Sequence, residues 1–251
     1  MLNMPDKLQN QLLAALERAD YALLSPLLRT AYFERGTILQ EQGAPVTRVY
    51  FPLNGMVSLV SVMENGHIVE TAVVGREGTV GAFIGLGRSN AFARAMVQIP
   101  ATVAVISASD FQSAVSQSER VRDLILRYKE ALLGQVQQTA ACNALHSLEA
   151  RLARWLLQAL DRTDEADLPL TQDSIAQMLG VRRTTVTVVA GRLQDCGLIR
   201  CGRGHIVVLD RAGLEDAACE CYRAIRQRID NVARAPASSA TADDRSVAVG
   251  S

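Results

Sequence analysis

The spacing of hydrophobic residues divides the chain into segments of different character. Leucines at helical spacing predict a helix over Leu8–Arg29. From Phe33 to Ser107 the pattern changes to short β-rich runs separated by turns, among them the Asn-Gly pairs that begin at positions 54 and 65. Many short strands at regular spacing indicate a barrel or roll. The predicted strands are Thr37–Leu39, Val49–Phe51, Met56–Met63, Ile68–Val74, Ala95–Ile99 and Thr102–Ile106.

A long helical pattern follows over Glu119–Leu145. A helix of about 26 residues is about 39 Å long, which is more than a small domain needs to cover itself. We therefore expect its apolar stripe to pair with a second copy of the chain, in preference to the alternative that the helix packs wholly on its own barrel. The predicted dimerisation residues are Val121, Leu124, Ile125, Tyr128, Leu132 and Val136.

The segment from Leu170 to Leu209 carries the clearest functional pattern. Thr171 is suited to cap a helix over Gln172–Leu179, although Ser174 stands where a Glu would complete a capping box, so we expect no box. Gly180 suits the left-handed position after that helix, and a second helix continues to Leu193. A helix, a glycine-containing turn and a helix that begins with basic residues predict a helix-turn-helix motif.

The start of the second helix and the hairpin after it predict DNA binding. Arginine donates two hydrogen bonds to guanine, and β-rich arms around the tip Gly202-Arg203-Gly204 predict a wing. Residues 182–211 hold six arginines against two aspartates. The alternative is a winged helix that serves protein contacts only. The predicted DNA-binding residues are Thr171, Gln172, Arg182, Arg183, Thr184, Thr185, Thr187, Arg200 and Arg203.

Composition and charge restrict the remaining classes of function. The 251 residues suggest two domains, and the formal net charge of zero argues against indiscriminate coating of nucleic acid. The N-terminal residues Met1–Leu13 lack a signal-peptide pattern, and the chain has no apolar run of the ~18 residues that a membrane span needs, so we expect a cytoplasmic protein that does not enter a membrane. With three histidines and no phosphate-binding loop, an enzyme is not expected.

The five cysteines form no C-x-x-C pattern, and we interpret them as small hydrophobic side chains. If Cys219 and Cys221 lie on one helix, their thiols point about 200° apart and cannot share a metal ion. The sequence therefore predicts no metal site.

The whole pattern resembles the Crp/Fnr family of bacterial transcription regulators from Phe33 to about Leu209. The residues that carry the resemblance are the Val80-Gly81 step, the long helix, Thr171, Ile175-Ala176, Gly180-Val181, Arg183, Thr185-Val186, Leu193 and Gly197-Leu198-Ile199. The resemblance implies a cyclic-nucleotide-binding-like roll, a dimerising helix, promoter binding as a dimer and contact with RNA polymerase.

This sequence departs from the family at the cyclic AMP contacts. Gly81 matches the phosphate cassette, but Ala82 stands where the family's ribose-binding Glu would be, and Arg94 is the remaining candidate for an anion. Val136 and Gln137 replace the Thr-Ser pair that contacts adenine. Loss of buried polar partners weakens binding, so we expect no cofactor of the cyclic AMP type, with some other nucleotide or small ligand left open.

In the recognition helix, Arg183 matches the family's Arg, whereas Thr184 and Val188 stand at its Glu and second Arg. The operator should therefore differ from that of the cyclic AMP regulators.

The sequence thus predicts an α+β chain with a β-roll resembling a cyclic-nucleotide-binding jelly roll, a long dimerisation helix and a C-terminal winged helix-turn-helix. The expected boundaries are 1–117 for the sensor, 118–147 for the helix, 148–232 for the DNA-binding domain and 233–251 for a disordered tail. The expected function is regulation of transcription at an inverted-repeat site. A ligand-gated regulator and a protein-interaction module are the alternatives.

Overall fold

The computed structural model describes residues 9–87 and 90–234, which form an α+β architecture, as predicted. The N-terminal part consists of helices α1 (Gln11–Ala15) and α2 (Arg18–Leu24) and strands β1 (Arg29–Phe33), β2 (Ile38–Gln40), β3 (Arg48–Pro52), β4 (Met56–Val62), β5 (Ile68–Val74), β6 (Arg94–Ile99) and β7 (Ala101–Ser107), with a 3-10 helix at Ala82–Leu86. Helices α3 (Ala108–Gln117) and α4 (Glu119–Leu145) follow.

The C-terminal part consists of α5 (Leu148–Leu160), β8 (Asp167–Leu168), α6 (Gln172–Leu179), α7 (Arg183–Asp195), β9 (Ile199–Gly202), β10 (His205–Val208), α8 (Arg211–Ala217) and α9 (Cys221–Arg234). Ala233 and Arg234, assigned to the disordered tail by the sequence, end the last helix, and residues 235–251 lie outside the described residues. Among the described residues, no helix has both the length and the apolarity that crossing a bilayer requires.

The strands form a roll of two antiparallel sheets, with strand orders β1-β7-β3 and β2-β6-β4-β5. The Asn54-Gly55 turn joins them tightly. Gly55 has φ +73°, and a Cβ there would lie 2.3 Å from the carbonyl oxygen of Pro100, so this turn requires glycine. Between the sheets and α3, the rings of Phe51 and Phe111 pack 5.9 Å apart.

The N-terminal segment differs from the single predicted helix. The helical structure breaks between α1 and α2, because Leu16 and Glu17 have extended backbone angles. Arg29 already belongs to β1, where it pairs with Val105 of β7. Leucine spacing could not reveal this, since the partner strand lies far away in sequence. Leu8 lies outside the described residues.

The long helix α4 has the predicted bounds, but its predicted dimerisation stripe is buried inside one chain. Its first turns pack on the roll and the 3-10 helix, and α9 packs along its C-terminal half. As a result, the assignment of this stripe to the dimer contact is wrong, and only Val136 remains partly exposed. The five buried residues are Val121, Leu124, Ile125, Tyr128 and Leu132.

The expectation that the thiols of Cys219 and Cys221 diverge is also wrong. Cys221 is the first residue of α9, whereas Cys219 lies before the helix begins, so helical spacing does not separate the two side chains. Both thiols point towards Cys142 on α4, whose Sγ lies 3.5 Å from that of Cys219.

The winged-helix domain docks on the roll through a continuous hydrophobic core. Met56 and Val73 of the roll pack in the same cluster as Trp155 of α5. At the centre of this contact, the indole Nε1 of Trp155 donates a hydrogen bond to Oε1 of Glu70 (2.8 Å), and Ser58 donates to Oε2 (2.5 Å). Both carboxyl oxygens of Glu70 therefore accept a hydrogen bond inside an apolar shell.

A buried ion pair supports the same contact. Arg162, which follows α5, lies 2.5 Å from Oε1 of Glu77, and both side chains are almost wholly buried. Arg162 also donates to the carbonyl oxygen of Gln158. Removing one partner of such a pair would leave an uncompensated buried charge, so substitution of either residue should destabilise this contact between the two domains.

Burial raises the pKa of the Glu70 carboxyl to about 7, and the hydrogen bonds from Ser58 and Trp155 oppose this only in part. In the unfolded chain the same group titrates near its ordinary value of 4.5. Between these two values, folding must take up a proton. The folded state therefore loses stability as the pH rises through this window, by roughly 3 kcal/mol at most.

We expect Glu70→Gln to abolish this pH dependence, because Gln keeps the shape and the acceptor for Trp155 but carries no charge. Thermal unfolding followed by fluorescence should show the wild type losing stability between pH 5 and pH 8, with the variant nearly constant. Trp155 is the only tryptophan, so its emission reports on this contact. Parallel pH profiles of the two proteins would contradict the assignment.

Candidate nucleic-acid interface

The first helix of the motif, α6, begins with a complete capping box. The Thr171 hydroxyl accepts a hydrogen bond from the backbone N–H of Ser174 (3.1 Å), and the Ser174 hydroxyl accepts one from the N–H of Thr171 (3.2 Å). The expectation that the box would be absent is therefore wrong, since a serine hydroxyl reaches the backbone that a Glu usually reaches. Thr171 is half-buried and acts as the helix cap.

The turn between α6 and α7 has the predicted geometry. Gly180 ends α6 with φ +66°, a left-handed conformation that favours glycine. The N–H of Val181 donates back to the carbonyl oxygen of Ala176 (2.9 Å). Ile175 on α6 and Val186 on α7 are fully buried, and their contact in the domain core fixes the angle between the two helices.

The start of α7 presents polar and basic side chains to solvent. Arg182, Arg183, Thr184 and Thr185 are all exposed. Arg182 is the N-cap residue and makes no side-chain capping bond, so the first backbone N–H groups of this 13-residue helix are open to an anion such as a phosphate. Val188, one turn further along, is 57% exposed and adds an apolar contact to this face.

Besides Thr171, three of the predicted DNA-binding residues have partners within the motif. Arg183 lies 3.3 Å from Asp173 of α6, and both side chains are about two-thirds exposed, so this ion pair is weak and readily exchanged. Thr187 donates to Oε1 of Gln172 (2.6 Å), which joins α6 to α7. Thr187 and Gln172 therefore position the helices relative to each other.

The wing is the predicted hairpin. Strands β9 and β10 pair with His205 opposite Gly202, and β8 adds a third strand. Arg203 and Gly204 form the two-residue tip, with Gly204 at φ +85°. The N–H of Cys201 donates to Oε1 of Gln194 (2.9 Å), which ties the wing to the end of α7.

The unpaired positive charge of the motif lies at the start of α7 and on the wing. Within the described part of the chain, Arg182, Arg200 and Arg203 are exposed and form no salt bridge. Arg192 and Arg211, by contrast, face carboxylates, since Arg211 lies 2.6 Å from Asp161. The cations left unpaired are thus those at the start of α7 and on the wing.

Sequence reasoning missed three residues of this surface. Asp173 pairs with Arg183, Gln194 anchors the wing, and Val188 was noted only as a departure from the family. The position of Asp173 in the first turn of α6 could have suggested a charge partner for the neighbouring helix. The bond from Gln194 to the wing depends on tertiary packing and leaves no sequence pattern.

A second candidate site is a cavity of about 410 Å³ between the roll and α4. Its walls are mainly apolar. Gln40 and Lys129 are among its polar lining residues, and Oε1 of Gln40 is buried and accepts no hydrogen bond from any described residue. The cavity therefore has mainly apolar walls, one hydrogen-bond acceptor without a donor and one positively charged side chain.

The structure divides the predicted ligand-binding residues into two groups. Gly81 and Val136 line the cavity. Ala82, Arg94 and Gln137 do not, and the assignment of these three to the ligand site is corrected. Arg94 instead donates from Nε to Glu41 (2.8 Å), Ala82 is buried, and Gln137 faces solvent.

Comparisons with known proteins give the same division of the chain. A model of the cyclic nucleotide-binding domain matches residues 30–118, and a model of the Crp-like helix-turn-helix domain matches residues 150–217. The global nitrogen regulator of Synechococcus elongatus is 27% identical over 74% of this chain and 88% of its own length. The transcriptional regulator SdrP of Thermus thermophilus is 27% identical over 78% of this chain and 96% of its own length.

Among solved structures, that of FixK2 from Bradyrhizobium japonicum superposes with a TM-score of 0.65 at 17% identity. It covers 76% of this chain and 98% of the FixK2 chain. At that identity the likeness establishes the fold.

Proposed function

The chain belongs to the Crp/Fnr family of transcription regulators, and from this premise we propose that it binds an inverted-repeat promoter site as a homodimer. The family consists of transcription regulators rather than enzymes. The observation that carries the proposal is the exposed, basic first turn of α7, where Arg182 and Arg183 stand beside open backbone N–H groups.

In the proposed complex, α7 enters the major groove and its first turn contacts base edges. Arg183 leaves its weak pair with Asp173 and donates two hydrogen bonds to a guanine. Thr184 and Thr185 contact phosphate oxygens or a thymine methyl. Arg200 and Arg203 of the wing contact phosphates, which contributes affinity without sequence preference.

The proposed dimer forms through the exposed face of α4. Leu126, Leu133 and Ala140 recur every seven residues on this face, and Leu133 is 55% exposed. A seven-residue repeat of apolar residues is the pattern of two paired helices. Since the stripe predicted from the sequence lies in the chain's own core, this face replaces it as the dimer contact. Two copies would then present two α7 helices to successive turns of one DNA face.

We further propose that the cavity does not hold cyclic AMP in the family's usual way. Ala82 offers no acceptor for ribose hydroxyls and Arg94 is paired with Glu41 outside the cavity. The apolar lining instead favours a largely apolar small ligand that donates a hydrogen bond to Gln40. The proposed place of action is the cytoplasm, where a promoter-bound dimer can contact RNA polymerase.

The DNA-binding proposal predicts that Arg183→Ala and Arg203→Ala fail in different ways. Selection of bound sequences from a random DNA pool should give an inverted repeat for the wild type. Arg183→Ala should lose discrimination at one guanine per half-site, at a cost of about 1–3 kcal/mol for each. Arg203→Ala should bind all sequences more weakly, and the slope of log affinity against log salt should fall by about one for each DNA phosphate that Arg203 neutralises.

Asp216→Ala, on α8 behind the motif, serves as a charge-change control and should keep the selected sequence. An Arg183→Ala protein that selects the wild-type motif with unchanged affinity would show that α7 does not read bases. It would favour the alternative of a protein-interaction module.

The dimer proposal predicts that Leu133→Glu weakens self-association. In the dimer this glutamate would lie buried opposite the same glutamate of the second copy, and the two charges would repel each other. Sedimentation at micromolar concentration should therefore shift towards a 27.1 kDa species, and DNA affinity should fall. Met63→Glu is a matched control, since Met63 is also 55% exposed but lies on a hairpin of the roll. Equal sedimentation of the two variants would place the dimer contact elsewhere.

The ligand proposal predicts that cyclic AMP at micromolar concentration gives no binding heat in calorimetry, and that it leaves DNA affinity unchanged. Titration with selected DNA in the same buffer shows that the protein is active. A micromolar Kd for cyclic AMP would mean that other groups take the place of the family's ribose and phosphate ligands.

A further inference from the structure

Four side chains with metal-binding atoms converge where the long helix α4 ends. They are Cys142, His146, Cys219 and Cys221, and their ligand atoms all lie within 4.8 Å of one another. Sγ of Cys142 is 3.5 Å from Sγ of Cys219, and Sγ of Cys221 is 3.5 Å from Nδ1 of His146. No other group of at least three His, Cys, Asp or Glu side chains within residues 9–87 and 90–234 comes together in this way.

The fold brings the four residues together from two elements. Cys142 and His146 are four residues apart at the end of α4, so they share one face of the helix. Cys219 and Cys221 lie at the start of α9, which packs antiparallel against that face. Cys219 precedes the helix and Cys221 begins it, so helical spacing does not separate their thiols, which the sequence alone did not reveal.

We propose that Cys142, His146, Cys219 and Cys221 form a four-coordinate structural site for a divalent cation of the Zn²⁺ type. Around tetrahedral zinc, bond lengths of about 2.3 Å to sulfur and 2.0–2.1 Å to nitrogen place two sulfurs about 3.8 Å apart, and sulfur and nitrogen about 3.6 Å apart. The two 3.5 Å separations match these edges closely. Because the three cysteines are buried, no open coordination position remains for a substrate.

Neighbouring side chains orient the proposed ligands. Nε2 of His146 lies 3.2 Å from the carboxylate of Glu220, so this nitrogen carries the proton and Nδ1 is left to bind the ion. A carboxylate behind a ligating histidine is a regular feature of zinc sites. Nε2 of Gln138 donates to Sγ of Cys221 at 3.1 Å, a bond that stabilises a thiolate.

The charges around the cluster also favour bound metal. Three thiolates and a divalent ion carry one net negative charge, and the buried side chains of Arg151 and Arg154 supply positive charge beside them. Positive charge beside a thiol favours its thiolate form. Thiolate is the form that binds metal ions.

The close spacing of the four ligand atoms favours a single metal ion over an iron–sulfur cluster or a disulfide. An iron–sulfur cluster inserts several atoms between its ligands, whereas these four atoms enclose room for one ion. A disulfide between Cys142 and Cys219 would require their sulfurs to approach from 3.5 Å to about 2.05 Å. It would also leave Cys221 and His146 without a role.

The position of the site suggests what the ion would do. His146 is followed by Ser147, the N-cap of α5, so the site spans the joint between the long helix and the DNA-binding domain. A bound ion would fasten α9 to α4 and hold that joint in one geometry. The consequence for DNA binding rests on the proposed function, but metal binding itself does not.

The test uses the full chain, purified under reducing conditions, stripped with a chelator and titrated with Co²⁺ as the probe. The wild type should bind one Co²⁺ per chain with the intense visible absorption of tetrahedral cobalt bound by thiolates, and Zn²⁺ should displace it. Cys219→Ser and Cys221→Ser should lose this spectrum, whereas Cys196→Ser, at an exposed cysteine outside the site, should keep it.

His146→Ala keeps the proposal testable if a cysteine variant fails to fold. His146 is partly exposed, so the fold should survive while the cobalt absorption shifts or weakens with the loss of its nitrogen ligand. Zn²⁺ should also raise the Tm of the stripped wild type but not that of the variant. A wild type that binds no more Co²⁺ than Cys219→Ser overturns the proposal. The proposal is also overturned if Cys142 and Cys219 form a disulfide and the chain still binds no Co²⁺ after that disulfide is reduced.

DNA binding is then measured with stripped and Zn²⁺-loaded protein on the selected sequence, and loading should tighten it. Cobalt uptake without any DNA binding would refute the proposed function while leaving the metal site standing. DNA binding without cobalt uptake would refute the metal site while leaving the proposed function standing.

Discussion

The burial of Glu70 beneath Trp155 constrains the rest of the structure most strongly. A carboxyl group removed from water must have hydrogen-bond donors, and the indole of Trp155 and the hydroxyl of Ser58 provide them from two different domains. Because the bond from Trp155 can form only when α5 lies against the roll, the contact fixes where the winged-helix domain sits. The buried pair of Arg162 and Glu77 lies across the same contact, where loss of either side chain would leave the other as an uncompensated buried charge.

The long helix α4 takes part in the roll, the cavity, the proposed metal site and the proposed dimer contact. One face belongs to the core of the roll, one side closes the cavity through Leu132 and Val136, and the end carries Cys142 and His146. What remains for a second copy is a narrow stripe of Leu126, Leu133 and Ala140, of which Leu133 also lines the cavity. A helix used on so many sides cannot shift in response to one partner without affecting the others, so a ligand in the cavity and a partner at the stripe would be coupled through it.

The features that the sequence predicted correctly are those determined by residues close together along the chain. The helix-turn-helix follows from Gly180, the cap at Thr171 and the spacing of Ile175 and Val186, all within about one supersecondary unit. The sequence could not predict which face of α4 is covered, because periodicity reports an apolar stripe but does not name its partner. The same limit applies to the cysteines: Cys142 and Cys219 lie 77 residues apart, and only the packing of α9 brings them together.

Two fastenings of different chemistry hold the DNA-binding domain, one at the middle of α5 and one just before its first residue. Glu70 and Trp155 act at its middle through a titratable carboxyl, and the cysteine–histidine cluster acts just before its first residue through thiols. Protonation would strengthen the first, whereas acid would weaken metal binding at the second, because protons compete with the ion for the ligating thiolates and imidazole. The orientation of α7 relative to the long helix is therefore best defined near neutral pH, where neither fastening is fully released.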